Sequence, residues 1–170
     1  GVSDCRPLRE SKGHLYEGGI RVPMIVRWPG RVKPGALSDE PVVSMDFYPT
    51  FLEVAGLEPT GQKPIDGESL VSLFQQTGKP KRRELFFHFP NYAWHMDNRL
   101  GSAVRSGDHK LIRNYDDGSV ELYNLKSDLG ETKNLVKRHP NLANRLDRKL
   151  GRWLKETDAW MPRPPKPSEK

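Results

Sequence analysis

Four short strand-like segments and one helical repeat constrain the fold of this 170-residue chain more than any other feature. The segments are Glu84–Phe89, Ser102–Arg105, Lys110–Asn114 and Val120–Tyr123. Turn sequences containing Gly107 and Gly118 separate the last three, which predicts an antiparallel meander. The helical repeat comprises Leu142, Leu146, Leu150, Trp153 and Leu154, and Pro140 precedes it. Because Pro suits the first helical position and the apolar residues share one face, we expect an amphipathic helix that covers one face of the sheet.

The first half of the chain predicts one strand and two helices. Met24–Trp28 is apolar and is followed by Pro29-Gly30, as expected of a buried strand that ends in a turn. Ser44 or Asp46 is a candidate cap for a helix over Phe47–Ala55, and Gly56 suits its end. A second short helix is predicted over Leu70–Gln76.

A basic connector, Lys79–Arg83, separates the two halves. We therefore predict a first domain over residues 1–78, a small α+β domain over 79–160 and a Pro-rich extended tail over 161–170. The composition, 35% hydrophobic and 29% charged, is typical of a globular protein. No apolar run is long enough to span a bilayer, no signal peptide is present at the start, and a single cysteine excludes an intrachain disulfide.

The run from Lys12 to Arg21 is Lys-Gly-His-Leu-Tyr-Glu-Gly-Gly-Ile-Arg. A lysine is a compact, mobile cation with three donors, which suits a tetrahedral anion. Gly18 and Gly19 allow either unusual backbone angles or the close approach of another chain segment. The alternative interpretation is an ordinary turn with Lys12 solvated at the surface.

This run resembles the sulfate-contacting lysine motif of the type I sulfatases, or arylsulfatases, which is Lys-Gly-x-x-Tyr-Glu-Gly-Gly-x-Arg. Later segments resemble the same family, and the likeness extends from about Pro7 to Trp153. The resemblance implies the C-terminal part of an alkaline-phosphatase-like α/β fold. That part is the end of the large α/β domain plus a small domain with a four-stranded antiparallel sheet and a C-terminal helix. It also implies a catalytic, sulfate-binding role for Lys12, whereas we assign structural roles to Glu17 and Arg21.

Sulfatases act with a formylglycine, made from Cys or Ser by a formylglycine-generating enzyme, and with a divalent cation that is commonly calcium. We find no carboxylate cluster suited to calcium, so the resemblance implies that the metal ligands and the formylglycine lie upstream of Gly1. We therefore predict no metal ligands in this chain, and we expect the chain alone to be inactive. Its parent protein is expected to be a sulfuric ester hydrolase.

Cys5 is a candidate that we reject. Cys5-Arg6-Pro7-Leu8-Arg9 fits the minimal Cys-x-Pro-x-Arg pattern that precedes formylglycine formation. The family, however, has Ser or Ala where Leu8 stands and places its nucleophile far upstream of the lysine motif. We expect an unmodified thiol.

The candidate substrate-binding residues beside Lys12 are His88, Asn91, Tyr92 and His95. His88-Phe89-Pro90-Asn91-Tyr92 resembles a family segment near the substrate cleft, in which a His commonly stands at the position of Asn91. For His88, substrate contact and a structural role remain equal alternatives. The spacing of the histidines does not indicate a zinc site.

Two alternative functions remain open. The net charge of +6 is compatible with a non-catalytic module that binds polyanions or sulfated glycans. Related phosphoester and phosphonate hydrolases share the superfamily. The expected substrate is a sulfated small molecule or glycan, with no nucleic-acid partner. The resemblance suggests a secreted, periplasmic or lysosomal protein, although the chain itself carries no signal for a compartment.

Overall fold

The computed structural model describes residues 4–61, 64–91 and 98–162. Their contacts divide the chain into two compact units, residues 23–82 and residues 1–22 together with 83–170. The predicted boundary after Gly78 stays a prediction. The first 22 residues, which include the lysine motif, belong to the same unit as the meander.

The larger unit contains the predicted sheet. Its strands are β1 (Glu84–Phe89), β2 (Gly101–Ser106), β3 (His109–Asn114) and β4 (Val120–Asn124). They pair antiparallel in sequence order. A helical turn, α1 (Glu17–Ile20), precedes the sheet, and the amphipathic helix α4 (Pro140–Glu156) follows it. The predicted four-stranded antiparallel sheet and C-terminal helix are confirmed.

The two faces of the sheet carry separate apolar clusters, because successive side chains of a strand alternate between faces. One face packs Val104, Leu111 and Leu122 against the leucines of α4. The opposite face packs Ala103, Ile112 and Tyr123 against Leu15 and Tyr16. The lysine motif and the C-terminal helix therefore lie on opposite faces of one sheet.

The smaller unit contains α2 (Phe47–Ala55), α3 (Val71–Phe74) and a 3₁₀ turn over Ser44–Asp46. Gly56 ends α2 in the left-handed conformation, with a φ of 67°, as the sequence predicts. Asp46 stands at the cap position, but its side chain makes no cap hydrogen bond. The expected cap is wrong because the Asp46 carboxylate instead binds Arg82 and the amides of Val43 and Glu68.

Met24–Trp28 is not a strand, which corrects the prediction for this segment. A strand requires a hydrogen-bonded neighbour, and all four described strands pair with one another. The segment is largely exposed, with Ile25 94% accessible. No helix among the described residues combines the length and apolar character needed to cross a bilayer.

Candidate functional site

Lys12 lies in a turn that is exposed to solvent. The amide of His14 donates to the carbonyl of Ser11 over 3.2 Å, and Gly13 between them has a φ of 99°. That left-handed φ favours glycine, so the Gly of the motif lets the chain reverse immediately after the lysine. The Lys12 side chain is therefore accessible from solvent.

Gly18 and Gly19 bring the lysine turn against α1. The Gly18 amide donates to the carbonyl of Arg9 over 2.8 Å. A Cβ on Gly18 would overlap the carbonyl of Glu10, and one on Gly19 would overlap that of His14. Of the two roles predicted for these glycines, close approach of another segment is confirmed.

Leu15 and Tyr16 fasten the motif to the sheet. Both are buried, at 8% and 7% accessibility, in the cluster with Ala103 and Ile112. The Tyr16 ring meets Tyr123 edge-on at 6.4 Å, and the Arg9 guanidinium lies 3.8 Å from the ring centroid of Tyr16. Aromatic edges and cations over ring faces both add to the stabilisation from burial alone.

Glu121 gathers the polar groups at this face of the sheet. Its carboxylate accepts hydrogen bonds from the Tyr16 hydroxyl at 2.9 Å, the Tyr123 hydroxyl at 2.6 Å and the Asn114 amide at 2.9 Å. Burial, together with these bonds to a carboxylate, raises the pKa of both tyrosines. The two phenols therefore stay protonated at neutral pH and serve as donors.

A buried ionic cluster holds Glu17, the acidic residue of the motif. The Lys110 ammonium lies 3.0 Å from Glu17 Oε1 and 2.8 Å from Glu131 Oε1. The second oxygen of Glu131 accepts the backbone N–H of Glu17 over 2.6 Å. All three side chains are at most 2% accessible. Burial raises the pKa of Glu131, and the Lys110 charge only partly opposes that effect.

Two arginines flank the outer oxygen of Glu17. Arg21 approaches Oε2 to 3.6 Å and Arg105 approaches it to 3.9 Å. The structural role assigned to Glu17 and Arg21 is confirmed by this ion pair. The cluster as a whole places three cations around two carboxylates, which is how a buried carboxylate becomes tolerable in a protein interior.

His88 lies on the face of the sheet that α4 covers. It pairs with Ser102 in β2. The next residue of β2, Ala103, points to the motif face, so Ser102 and His88 point to the opposite face. The Nδ1 of His88 lies 2.6 Å from Ser102 Oγ, and its Nε2 lies 2.7 Å from the Trp160 carbonyl. A carbonyl only accepts, so Nε2 carries a proton. These contacts favour the structural alternative, and substrate contact by His88 stays an untested prediction.

Asn91 is exposed beyond the end of β1. Tyr92 and His95 lie outside the described residues. Cys5 is partly exposed, and its carbonyl accepts the Leu8 amide over 2.9 Å. Across residues 4–61, 64–91 and 98–162, no group of three or more His, Cys, Asp or Glu side chains is arranged to hold a metal ion. The described residues thus offer no fit for calcium, and we assign none of them to it.

Sequence reasoning missed the buried ionic contacts of Lys110 and Glu131 with Glu17. Lys110 begins the predicted segment Lys110–Asn114, and a lysine is ordinarily exposed. One signal was present, because Lys110 has the same strand parity as the buried Ile112 and therefore shares its face. Nothing local to Glu131 indicates that it reaches Glu17, which is 114 residues away in the sequence.

The chain matches known proteins over most of its length. Residues 11–158 match the family model for "N-sulphoglucosamine sulphohydrolase, C-terminal". A sulfatase of Formosa agariphila is 39% identical over 176 aligned residues, which cover 94% of this chain and 31% of that protein. The chain therefore spans about a third of that relative's length.

Two solved structures share the fold. One is a complex of a protein with its substrate D-glucosamine-2-N,6-O-disulfate, with a TM-score of 0.68 and 29% identity over 79% of this chain and 28% of that one. The other is Ps i-CgsB in complex with k-i-k-neocarrahexaose, with a TM-score of 0.73 and 25% identity over 93% of this chain and 34% of that one.

The fold is the C-terminal part of an alkaline-phosphatase-like α/β fold, as the sequence predicts. The match of the family model to residues 11–158 makes the chain a member of the sulfatase family.

Proposed function

We propose that the protein to which this chain belongs hydrolyses sulfate esters, and that Lys12 binds the sulfate group. The observation that carries this proposal is the complete lysine motif, in which Leu15, Tyr16 and Glu17 are buried while Lys12 is exposed in a turn. An anion-binding role accounts for a lysine at this exposed position.

Lys12 would act on charge. A sulfate ester carries negative charge on its oxygens, and charge builds on the leaving oxygen as the S–O bond breaks. A preorganised donor aimed at that charge contributes about 2.7–4 kcal/mol of transition-state stabilisation. The lysine therefore supports catalysis without supplying a nucleophile.

The family resemblance implies a formylglycine nucleophile and a calcium ion for the whole protein. The described residues provide neither a suitable ligand cluster nor, in Cys5, a correctly placed precursor. We therefore assign both groups to residues outside this chain. We also propose a formylglycine-generating enzyme as a maturation partner.

A sulfated glycan is the substrate class that we favour. Related proteins have been solved with a sulfated glucosamine and with a carrageenan oligosaccharide, and both share this chain's fold. Because the motif recognises the sulfate and not the sugar, an aryl sulfate should also serve as a substrate.

The test is a substrate panel for the protein expressed from the complete reading frame. Aryl sulfate, aryl phosphate and aryl phosphonate are offered at equal concentrations, followed by glucosamine sulfates and sulfated galactans. We expect kcat/KM to be highest among the aryl substrates for the sulfate. Preferential turnover of the phosphate or phosphonate ester would instead support the related hydrolase function.

One observation favours the polyanion-binding alternative. Arg145, Arg148 and Arg152 lie exposed on α4, and no described residue forms an ion pair with any of them. A module of this kind would bind a sulfated polymer with an affinity that falls steeply with salt. If the triple Arg→Ala variant loses polymer binding and the parent protein turns over no ester, the binding function replaces the catalytic one.

A further inference from the structure

A chain of contacts connects the sheet to the Lys12 turn, and Glu131 is its first member. The Glu131 carboxylate accepts a hydrogen bond from the backbone N–H of Glu17 at 2.6 Å. It also contacts Glu17 through Lys110, whose ammonium lies 3.0 Å from the Glu17 carboxylate and 2.8 Å from that of Glu131. The backbone and the side chain of Glu17 are thus both fixed. Lys110 belongs to the second-last strand of the sheet, so its own position is set by hydrogen bonds to two neighbouring strands.

The segment that follows Glu17 contacts the lysine turn directly, backbone against backbone. Glu17 opens α1, and the next two residues, Gly18 and Gly19, lie against the carbonyls of Glu10 and His14. Those two carbonyls bracket Lys12 in the sequence. Because no side chain separates α1 from the turn, a displacement of Glu17 must displace the turn as well.

We infer that the buried Glu17–Lys110–Glu131 cluster positions Lys12 for the reaction. In this role Lys110 and Glu131 are positioning residues that act through Glu17 and the two glycines, and neither touches the substrate. The inference rests on the proposed function of Lys12. An apolar contact would slide more easily, whereas an ammonium between two carboxylates fixes distance and direction.

The charge arrangement makes this cluster sensitive to substitution. Lys110 is fully buried, so the loss of either carboxylate leaves its charge with a single partner. Glu131→Gln is the mildest change, because the amide oxygen still accepts the Glu17 N–H while the second ion pair to Lys110 is lost. An effect of this substitution on Lys12 must be transmitted through the folded structure, because the two positions are 119 residues apart in the sequence.

The experiment is a double-mutant cycle between Lys12 and Glu131 in the protein expressed from the complete reading frame, with an aryl sulfate as substrate. Rates are expressed per folded molecule. We expect Glu131→Gln to lower kcat about 10-fold, since small misplacement of a catalytic group has large effects on rate. In the Lys12→Ala background the same change should lower kcat by less than about 2-fold, because the group that it positions is already gone.

Glu156→Gln is the matched control, because Glu156 is exposed on α4, which packs on the opposite face of the sheet from the motif. It should leave kcat unchanged in both backgrounds. A merely destabilising effect of Glu131→Gln would lower the rate equally with and without Lys12, and that additivity would overturn the inference. If Lys12→Ala itself leaves kcat unchanged, the proposed function fails instead, so the two failures are distinguishable.

Hydrogen–deuterium exchange gives a second measurement that does not depend on turnover. Glu131→Gln should increase exchange at least several-fold in peptides covering residues 9–19, and leave β2 and β3 protected. Unchanged exchange over residues 9–19 would contradict the positioning role. If Glu131→Gln does not accumulate as folded protein, Glu17→Gln replaces it in both measurements, because it removes the other carboxylate and leaves Lys110 paired with Glu131.

Discussion

At the scale of single residues, the motif combines one exposed lysine with neighbours that are there for packing. Gly18 and Gly19 admit two carbonyls where a side chain would collide, Tyr16 and Leu15 fill the apolar cluster, and Glu17 enters the ionic one. Most residues of the motif therefore serve to attach the turn to the sheet, and Lys12 is the residue that we propose binds the anion.

Gly18→Ala should destabilise the larger unit by about 1–3 kcal/mol, the usual effect of overpacking. The added Cβ would meet the Glu10 carbonyl, which cannot move without shifting the Lys12 turn. Urea denaturation gives the change in the free energy of unfolding.

Gly151→Ala is the matched control for that prediction. A Cβ at Gly151, inside α4, would meet its nearest neighbour, Arg113, at an ordinary 3.6 Å. Alanine is the better helix former, so this variant should be more stable than the unaltered chain by about 0.5–1 kcal/mol. Equal behaviour of the two variants would show that close approach at Gly18 does not matter.

At the scale of elements, the sequence predicted most of what is local. The bounds of β1 and α2 agree with the structure, and β2, β3 and β4 are longer by only one or two residues than predicted. Alternation, turn residues and helical spacing are properties of a few neighbouring residues, which is why they can be recognised in the sequence.

The errors concern long-range contacts. Met24–Trp28 has the composition of a buried strand, but pairing depends on a partner that its own sequence does not specify. Asp46 is a residue type that commonly caps helices, but its carboxylate instead accepts a hydrogen bond from Arg82, 36 residues away. In the same way the Lys12 motif could be recognised in the sequence, whereas the contact of Glu17 with Lys110 and Glu131 could not be predicted from it.

Asp46 supplies a pH-dependent contribution to the smaller unit. Burial opposes its ionisation, but hydrogen bonds from Arg82 and from the amides of Val43 and Glu68 outweigh burial and hold its pKa below the ordinary value. Because the folded-state pKa is lower than the unfolded value of about 3.9, this stability is present above that pH. It is lost as the pH falls through the folded-state pKa.

Asp46→Asn should therefore lower the unfolding free energy of residues 23–82 by about 3 kcal/mol near pH 7, the effect of breaking a buried ion pair. The difference from the unaltered chain should shrink as the pH falls below about 3.9. Hydrogen exchange of α2 in a urea series measures this. The exposed Asp39 gives the control Asp39→Asn, and a pH-independent difference at Asp46 would contradict the assignment.

At the scale of the whole molecule, the two units differ in how much apolar surface they bury. The larger unit contains both apolar clusters. In the smaller unit many large apolar side chains are exposed, including Phe51 at 67% and Leu37 at 94%. Exposed apolar surface of this extent is typical of a region that packs against another protein segment.

The purified chain should not turn over a chromogenic aryl sulfate, even with added calcium. In its proposed role Lys12 stabilises charge but does not attack sulfur, and catalytic groups that act as a unit lose nearly all activity when one is missing. The control is the chain with Lys12→Ala, and both should match the buffer rate. Calcium-dependent turnover of the unaltered chain well above that control would mean that this chain holds a more complete site than we propose.

Kinetics of Lys12→Ala, in the protein expressed from the complete reading frame, decide whether this chain supplies Lys12 to a sulfate-binding site. We predict that kcat toward an aryl sulfate falls by about 10²–10³, the effect of losing one preorganised donor to a developing negative charge. Lys126→Ala, at an exposed lysine of the same unit, should leave kcat unchanged. An unaltered kcat for Lys12→Ala would contradict the account.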